Sequence, residues 1–76
     1  LVIDIGSNDG VLLKEFKDKN MTTVGIEPSK EIAKESNKNG IKTYDEFLSL
    51  NLTNRIIKEH GHAKVITSNN VFFMNL

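Results

Sequence analysis

Two glycines and several polar residues follow the first apolar run of this 76-residue chain. The run Leu1–Ile5 leads into the segment Asp4–Gly10, which reads Asp-Ile-Gly-Ser-Asn-Asp-Gly. Glycine permits positive φ and lets a ligand approach the backbone closely, and a helix that begins after the turn offers free N–H groups to a phosphate or a carboxylate. The segment is therefore a candidate ligand-binding turn. The alternative is that glycines and Asx residues only form a tight strand-to-helix turn.

The spacing of the glycines bears on the kind of ligand. A dinucleotide fingerprint of the form G-x-G-x-x-G, counted from Gly6, needs glycine at positions 8 and 11. This chain has Asn8 and Val11 at those positions. The order observed is an acid, one residue, Gly6, three residues and Gly10. An NAD-type module of an oxidoreductase is therefore an alternative that the missing glycines disfavour.

A second acid follows the second apolar run. Glu27 comes directly after residues 23–26, close to the separation of ~20 residues expected between a glycine turn and a ribose-binding acid. An ionised carboxylate at the end of a strand can accept both ribose hydroxyls. Pro28 stiffens the exit, and Ser29 is a plausible cap for the next helix. Glu27 thus predicts a ribose-bearing ligand without choosing between cofactors, and the alternative is a solvated loop glutamate.

The elements that position these residues alternate along the chain. We predict strands over residues 1–5, 22–26, 41–44 and 64–67, helices over 11–19, 30–38 and 51–60, and a further helix after Asn70. Such alternation favours a parallel sheet with right-handed crossovers. The predicted fold class is α/β, a Rossmann-like parallel sheet with alternating helices. The polar residues would lie at the carboxyl edge of the sheet, where such folds bind ligands.

The glycine turn resembles motif I of the class I S-adenosylmethionine-dependent methyltransferases. The runs Asp4–Leu13 and Gly25–Ser29 are similar to the subgroup of sugar C-methyltransferases. This resemblance implies the first four strands of that fold, S-adenosylmethionine as the cofactor, and a small-molecule methyl acceptor such as a nucleotide-linked sugar. It implies that the turn wraps the methionyl part of the cofactor, with the acid near its amino group. The cofactor-binding residues implied in these two runs are Asp4, Gly6, Ser7, Asn8, Gly10, Glu27 and Pro28.

Two later positions extend the predicted site. Asp45 follows the third strand, where the resemblance implies an acid that accepts from the adenine amine, with Tyr44 or Phe47 stacked on the ring. The alternative is that Asp45 starts a turn of helix with Phe47 in the core. Asn69 and Asn70 follow the fourth strand, where the resemblance implies residues that face cofactor and substrate. The alternative there is a pair of turn-forming asparagines that cap the next helix.

The chain departs from the sugar C-methyltransferases after this asparagine pair. Members of that subgroup often carry a histidine a few residues further on, whereas the matching run here is Phe72–Asn75, so the catalytic base is either unassigned or expected after Leu76. Members also have a zinc-binding part before this region and a further domain after it. We therefore expect residues 1–76 to be the N-terminal part of a methyltransferase domain of a larger protein, inactive by itself. His60-Gly61-His62 is a weak metal motif and is expected to be a surface turn.

Composition excludes several classes of function. Lys and Arg number 10 and Asp and Glu number 10, which leaves no electrostatic footprint for nucleic acid. No apolar run approaches the ~20 residues that a bilayer requires. The absence of cysteine excludes disulfide scaffolds and thiolate metal sites and fits a reducing compartment, so a cytoplasmic location is expected. A third hypothesis is an inactive fragment that binds a partner through an unpaired sheet edge.

Overall fold

Strands and helices alternate along the chain in the computed structural model, which describes residues 1–68 and 71–74. The elements in order are β1 (Val2–Ile5), α1 (Val11–Lys17), β2 (Thr23–Ile26), α2 (Lys30–Lys38), β3 (Thr43–Tyr44), α3 (Leu50–His60), β4 (Val65–Ser68) and β5 (Val71–Met74). The predicted elements through β4 are confirmed, with ends that differ by at most two residues. The predicted helix after Asn70 is wrong, because Val71–Met74 is a strand.

The strands form one sheet in the order β3-β2-β1-β4-β5. The first four strands are mutually parallel, and β5 pairs with β4 in the antiparallel direction. This confirms the α/β class with a partial Rossmann-like parallel sheet. The run at β5 is short and rich in aromatic residues, and it follows β4 closely enough in sequence for antiparallel pairing, which explains why it is a strand and not a helix.

Apolar side chains cover both faces of the sheet. On one face, a cluster that includes Leu13 of α1 packs on Val2 and Ile41. On the other face, Leu52 and Ile56 of α3 pack on residues of β2 and β3. Burial of each such side chain stabilises the fold by about 1.5–3 kcal/mol before the entropy of folding is counted. Because helices lie on both faces, the central strands are short apolar runs, as is usual for parallel sheets.

Local capping defines where two of the helices begin. The Ser29 hydroxyl accepts a hydrogen bond from the Ile32 N–H at 3.4 Å, which confirms the predicted cap of α2. The Ser49 hydroxyl accepts from the Leu52 N–H at 3.0 Å and caps α3. No helix in the described part of the chain is long and apolar enough to cross a membrane. The loops after β1, β2 and β3 meet at one edge of the sheet because these strands run in parallel.

Candidate functional site

The glycine turn folds back over the end of β2. The N–H groups of Gly6 and Ser7 both donate to the Ile26 carbonyl, at 2.8 and 3.1 Å. Gly10, with φ 85°, precedes α1, and a Cβ there would lie 2.8 Å from Ser36 Oγ and 3.1 Å from an Ile41 side-chain carbon. Only glycine therefore lets the turn approach α2 so closely.

A cavity of about 320 Å³ opens beside this turn. Its polar lining comes from the turn and from the end of β1, and its apolar lining comes from the first two residues of α1. The lining residues are Asp4, Gly6, Ser7, Asn8, Asp9, Val11 and Leu12. Four of the predicted cofactor-binding residues thus line one cavity, while Gly10, at the end of the turn, packs against Ser36 and Ile41. A carboxylate beside exposed backbone suits a small ligand that carries a positive charge.

Asp4 is a buried carboxylate in this cavity, only 6% exposed. Its Oδ1 accepts a hydrogen bond from Thr67 Oγ1 at 2.6 Å. Burial raises the pKa of Asp4, and the hydrogen bond from Thr67 works in the opposite direction. A desolvated carboxylate of this kind gains from a cationic partner. Sequence reasoning missed Thr67, since its pairing with Asp4 depends on β1 lying beside β4.

Glu27 lies directly against the glycine turn. The Asn8 N–H donates to Glu27 Oε1 at 3.1 Å, and the Ser29 N–H donates to Glu27 Oε2 at 2.9 Å. The structure thus brings together the turn and the second-strand acid. Each carboxylate oxygen has a further lone pair, so the side chain can accept from hydroxyl groups while it holds the backbone. Pro28 is half-buried and stands in sequence between Glu27 and Ser29.

The Ser7 hydroxyl does not face the cavity. Ser7 is 4% exposed, and its Oγ has no hydrogen-bond partner among the residues that the structure describes. A Cβ on Gly25 would lie 2.5 Å from that oxygen, so the hydroxyl rests against β2 and the rest of Ser7 lines the cavity. Gly25 is a second residue that sequence reasoning missed, although a glycine inside a predicted strand signals a close backbone approach.

Asp9 also shapes the turn. Its Oδ1 accepts from the Val11 N–H at 3.3 Å, which is the local Asx geometry of a tight strand-to-helix turn. The turn therefore has the features of both interpretations: it is held by local polar contacts, and it borders a cavity. A turn that only connected β1 to α1 would not need a cavity beside it, so the cavity favours ligand binding.

The region after β3 differs in part from expectation. Asp45 lies at the carboxyl edge of the sheet, exposed, with Lys30 Nζ 3.3 Å from its Oδ2. The Tyr44 ring is buried in the core and its hydroxyl donates to Glu59 Oε2 at 2.6 Å, so a stacking role for Tyr44 is wrong. The alternative for this region is also wrong, because Phe47 is 79% exposed and Ser49, not Asp45, caps α3. The first buried residue of α3 is Leu52, its third residue, and Phe47 precedes the helix.

Two further predicted features have separate outcomes. Asn69 and Asn70 lie outside the residues that the structure describes. His60 is the last residue of α3, as the predicted helix over residues 51–60 implies, and its Nε2 lies 3.1 Å from the Tyr44 hydroxyl. Within residues 1–68 and 71–74, no group of three or more acidic, histidine or cysteine side chains could hold a metal ion.

A second cavity, of about 270 Å³, lies between α3 and the other face of the sheet. Most of its lining is apolar, with Ile3, Ile5 and Ile66 from the strands and Ile56 from α3. Cofactor sites combine an apolar wall with a few convergent polar groups. The glycine-turn cavity has such groups, and it is therefore the candidate functional site.

The chain is similar to one part of a known methyltransferase. No family model matches the chain. The chain is 28% identical over 72 residues to the C-methyltransferase NovU of Streptomyces niveus, a match that covers 95% of this chain. The same match covers 17% of NovU, so the chain spans about a sixth of the length of that relative. The similarity supports a methyltransferase.

Proposed function

We propose that residues 1–76 form the S-adenosylmethionine-binding part of a methyltransferase domain. The observation that carries the proposal is the contact between the Asn8 N–H and Glu27, which joins the glycine turn to the second-strand acid at 3.1 Å. The cavity beside that contact has the buried carboxylate of Asp4 in its wall. An acid for an ammonium group and an acid for ribose hydroxyls therefore both lie beside one turn.

The residues fit S-adenosylmethionine in their chemistry. Asp4 would accept the ammonium group of the methionyl part, and the exposed backbone at Gly6 and Asn8 would border that part. Glu27 would accept the ribose hydroxyls with the lone pairs that the backbone contacts leave. Asp45, at the same edge of the sheet, would accept from the adenine amine once its exposed pairing with Lys30 opens. Such an exposed ion pair is worth about 0–1 kcal/mol and is readily exchanged.

The cofactor, when bound, supplies an electrophilic methyl group on a sulfonium for in-line transfer to a nucleophile. The described residues serve to hold and orient the donor and to exclude water from one side of it. We further propose that the methyl acceptor is a carbon nucleophile of a nucleotide-linked sugar. The resemblance to sugar C-methyltransferases and the similarity to a C-methyltransferase support this choice. Asn69 and Asn70 are proposed to face the cofactor and the acceptor.

Calorimetric titration of the chain tests the proposal. We expect S-adenosylhomocysteine, the product form of the cofactor, to bind with a Kd in the micromolar range, about −8 kcal/mol. NAD carries the same adenosine and serves as the matched control ligand. We expect NAD to bind at least tenfold more weakly, because its pyrophosphate would meet the acids of this site. Tighter binding of NAD would overturn the choice of cofactor.

A further inference from the structure

The hydrogen bond between Thr67 and Asp4 joins two strands that are 63 residues apart in sequence. We propose that Thr67 is a positioning residue, which holds the Asp4 carboxylate in the orientation that receives the ammonium group of the cofactor. This inference rests on the proposed function and adds to it the residue that orients Asp4 for binding the ammonium group. Thr67 ends the fourth strand predicted from the sequence, and no binding role was predicted for it.

Strand register sets the geometry of this pair. Asp4 of β1 lies directly beside Thr67 of β4 in the parallel ladder, and Thr67 is 1% exposed. The side chain of threonine is branched at Cβ and is stiff at χ1, so its hydroxyl has few alternative directions. A short hydrogen bond of 2.6 Å to Oδ1 therefore restricts rotation of the carboxylate. Orientation of Asp4 is thus determined by a neighbouring strand and not by the glycine turn.

The same contact favours the ionised form of Asp4. Burial raises the pKa of Asp4, whereas the hydroxyl of Thr67 donates to the charged form and lowers it. Asp9 is the other titratable residue in the described lining of the cavity; Glu27 contacts the Asn8 N–H, and Lys14 lies in an adjoining cavity that Asp9 and Val11 also line. The neighbouring part of β4, Val65–Ser68, contains no charged residue, and α1 contributes Val11 and Leu12 to the cavity. Thr67 is therefore the group that counteracts burial on the protein side.

Three proteins and two ligands test the role of Thr67. The proteins are the wild-type chain, Thr67→Val, which has nearly the same shape but no donor, and Thr67→Ser, which keeps the donor. The ligands are S-adenosylhomocysteine and 5′-methylthioadenosine, which has the same adenosine and sulfur but no ammonium group. Each protein is titrated with each ligand by calorimetry between pH 4 and pH 8, and circular dichroism establishes that each protein is folded.

We expect Thr67→Val to bind S-adenosylhomocysteine about tenfold more weakly at pH 7, because a hydrogen bond to a charged group is lost. The pH below which Thr67→Val loses affinity for S-adenosylhomocysteine should be higher than in the wild type. Thr67→Ser should restore both the affinity at pH 7 and the pH at which affinity is lost. Binding of 5′-methylthioadenosine should not change in either variant. Unchanged binding of S-adenosylhomocysteine by Thr67→Val overturns the inference, and so does an equal loss for both ligands. A wild-type chain that binds neither ligand overturns the proposed function, and with it this inference.

Discussion

The carboxylate of Glu27 holds the backbone of Asn8 through a hydrogen bond of 3.1 Å between Oε1 and the Asn8 N–H. Asn8 has φ 57°, a left-handed conformation that is uncommon outside glycine. A hydrogen bond to an ionised acceptor is about twice as strong as one between neutral groups, so the contact helps to maintain this turn. Glu27 thus stabilises the turn and also places hydrogen-bond acceptors beside it.

Glu27→Gln tests both tasks together. Glutamine has one acceptor oxygen instead of two and no charge, so one of the two backbone contacts and part of the ribose recognition are lost. We expect the affinities for S-adenosylhomocysteine and for 5′-methylthioadenosine to fall by about 10–100-fold, since both ligands carry the ribose. Calorimetric titration measures the change. Glu31→Gln, an exposed acid in the first turn of α2, is the matched control and should bind like the wild type. Wild-type affinity in Glu27→Gln would contradict the ribose role.

Asp4→Asn should separate stability from binding. The pKa of Asp4 is raised in the folded chain, chiefly by burial, so ionisation of Asp4 opposes folding once the pH rises above 3.8, the ordinary pKa of an aspartate side chain. Asparagine keeps an oxygen that accepts from Thr67 and removes the buried charge. We expect the Tm of Asp4→Asn at pH 7 to exceed that of the wild type by a few degrees, roughly the effect of 1 kcal/mol or less in a domain of this size.

Two measurements check this prediction for Asp4. The difference in Tm between Asp4→Asn and the wild type should shrink as the pH falls towards 3, where the wild-type carboxyl is protonated. The variant should also lose affinity for S-adenosylhomocysteine but not for 5′-methylthioadenosine, which lacks the ammonium group. A lower Tm than the wild type at pH 7 would show that the charge of Asp4 is satisfied within the chain alone.

Gly10→Ala should destabilise the chain through crowding as well as backbone strain. A Cβ at Gly10 would lie 2.8 Å from Ser36 Oγ, and φ is 85°. Gly40→Ala is the control, since Gly40 has φ 87° and an added Cβ there would meet Lys17 Nζ, the end of a flexible side chain, at 3.4 Å. We expect a cost of about 1 kcal/mol for Gly40→Ala and about 2–4 kcal/mol for Gly10→Ala. Urea denaturation compares the two, and equal costs would exclude close packing at Gly10.

The stability of the chain should fall as the pH rises from about 10 to 12. Burial, together with the hydrogen bond to Glu59 and its charge, raises the pKa of Tyr44 to about 12. The unfolded chain releases the Tyr44 proton near pH 10, whereas the folded chain retains it, so stability that is fully present below pH 10 is lost up to pH 12. The loss should reach about 2–3 kcal/mol.

Tyr44→Phe isolates this effect from other groups that titrate at high pH. Phenylalanine keeps the apolar ring in the core and removes the hydroxyl that contacts Glu59 and His60. The variant should be less stable than the wild type at pH 8, and the difference should narrow towards pH 12. Ultraviolet difference absorption at 295 nm follows ionisation of the single tyrosine directly. Parallel stability curves for the two proteins above pH 10 would contradict the raised pKa.

Local patterns were sufficient to predict most of the elements. Short apolar runs and amphipathic stretches identified β1 to β4 and the three helices, because burial of one face depends mainly on nearby sequence. The cap at Ser29 was predictable because it acts over three residues. The neighbourhood of Glu27 and the glycine turn was also predictable, since parallel strands joined by right-handed crossovers bring their carboxyl ends to one edge.

The tertiary structure alone decided which side chains meet across the sheet. Neither the hydrogen bond from Thr67 to Asp4 nor the contact of Ser7 with Gly25 follows from spacing, because both depend on strand order and register. Periodicity says which face of a strand is buried but not which residue lies beside it. Phe47 is 79% exposed, and the place of the residues before α3 depends on how that helix packs on the sheet, which a local pattern does not give.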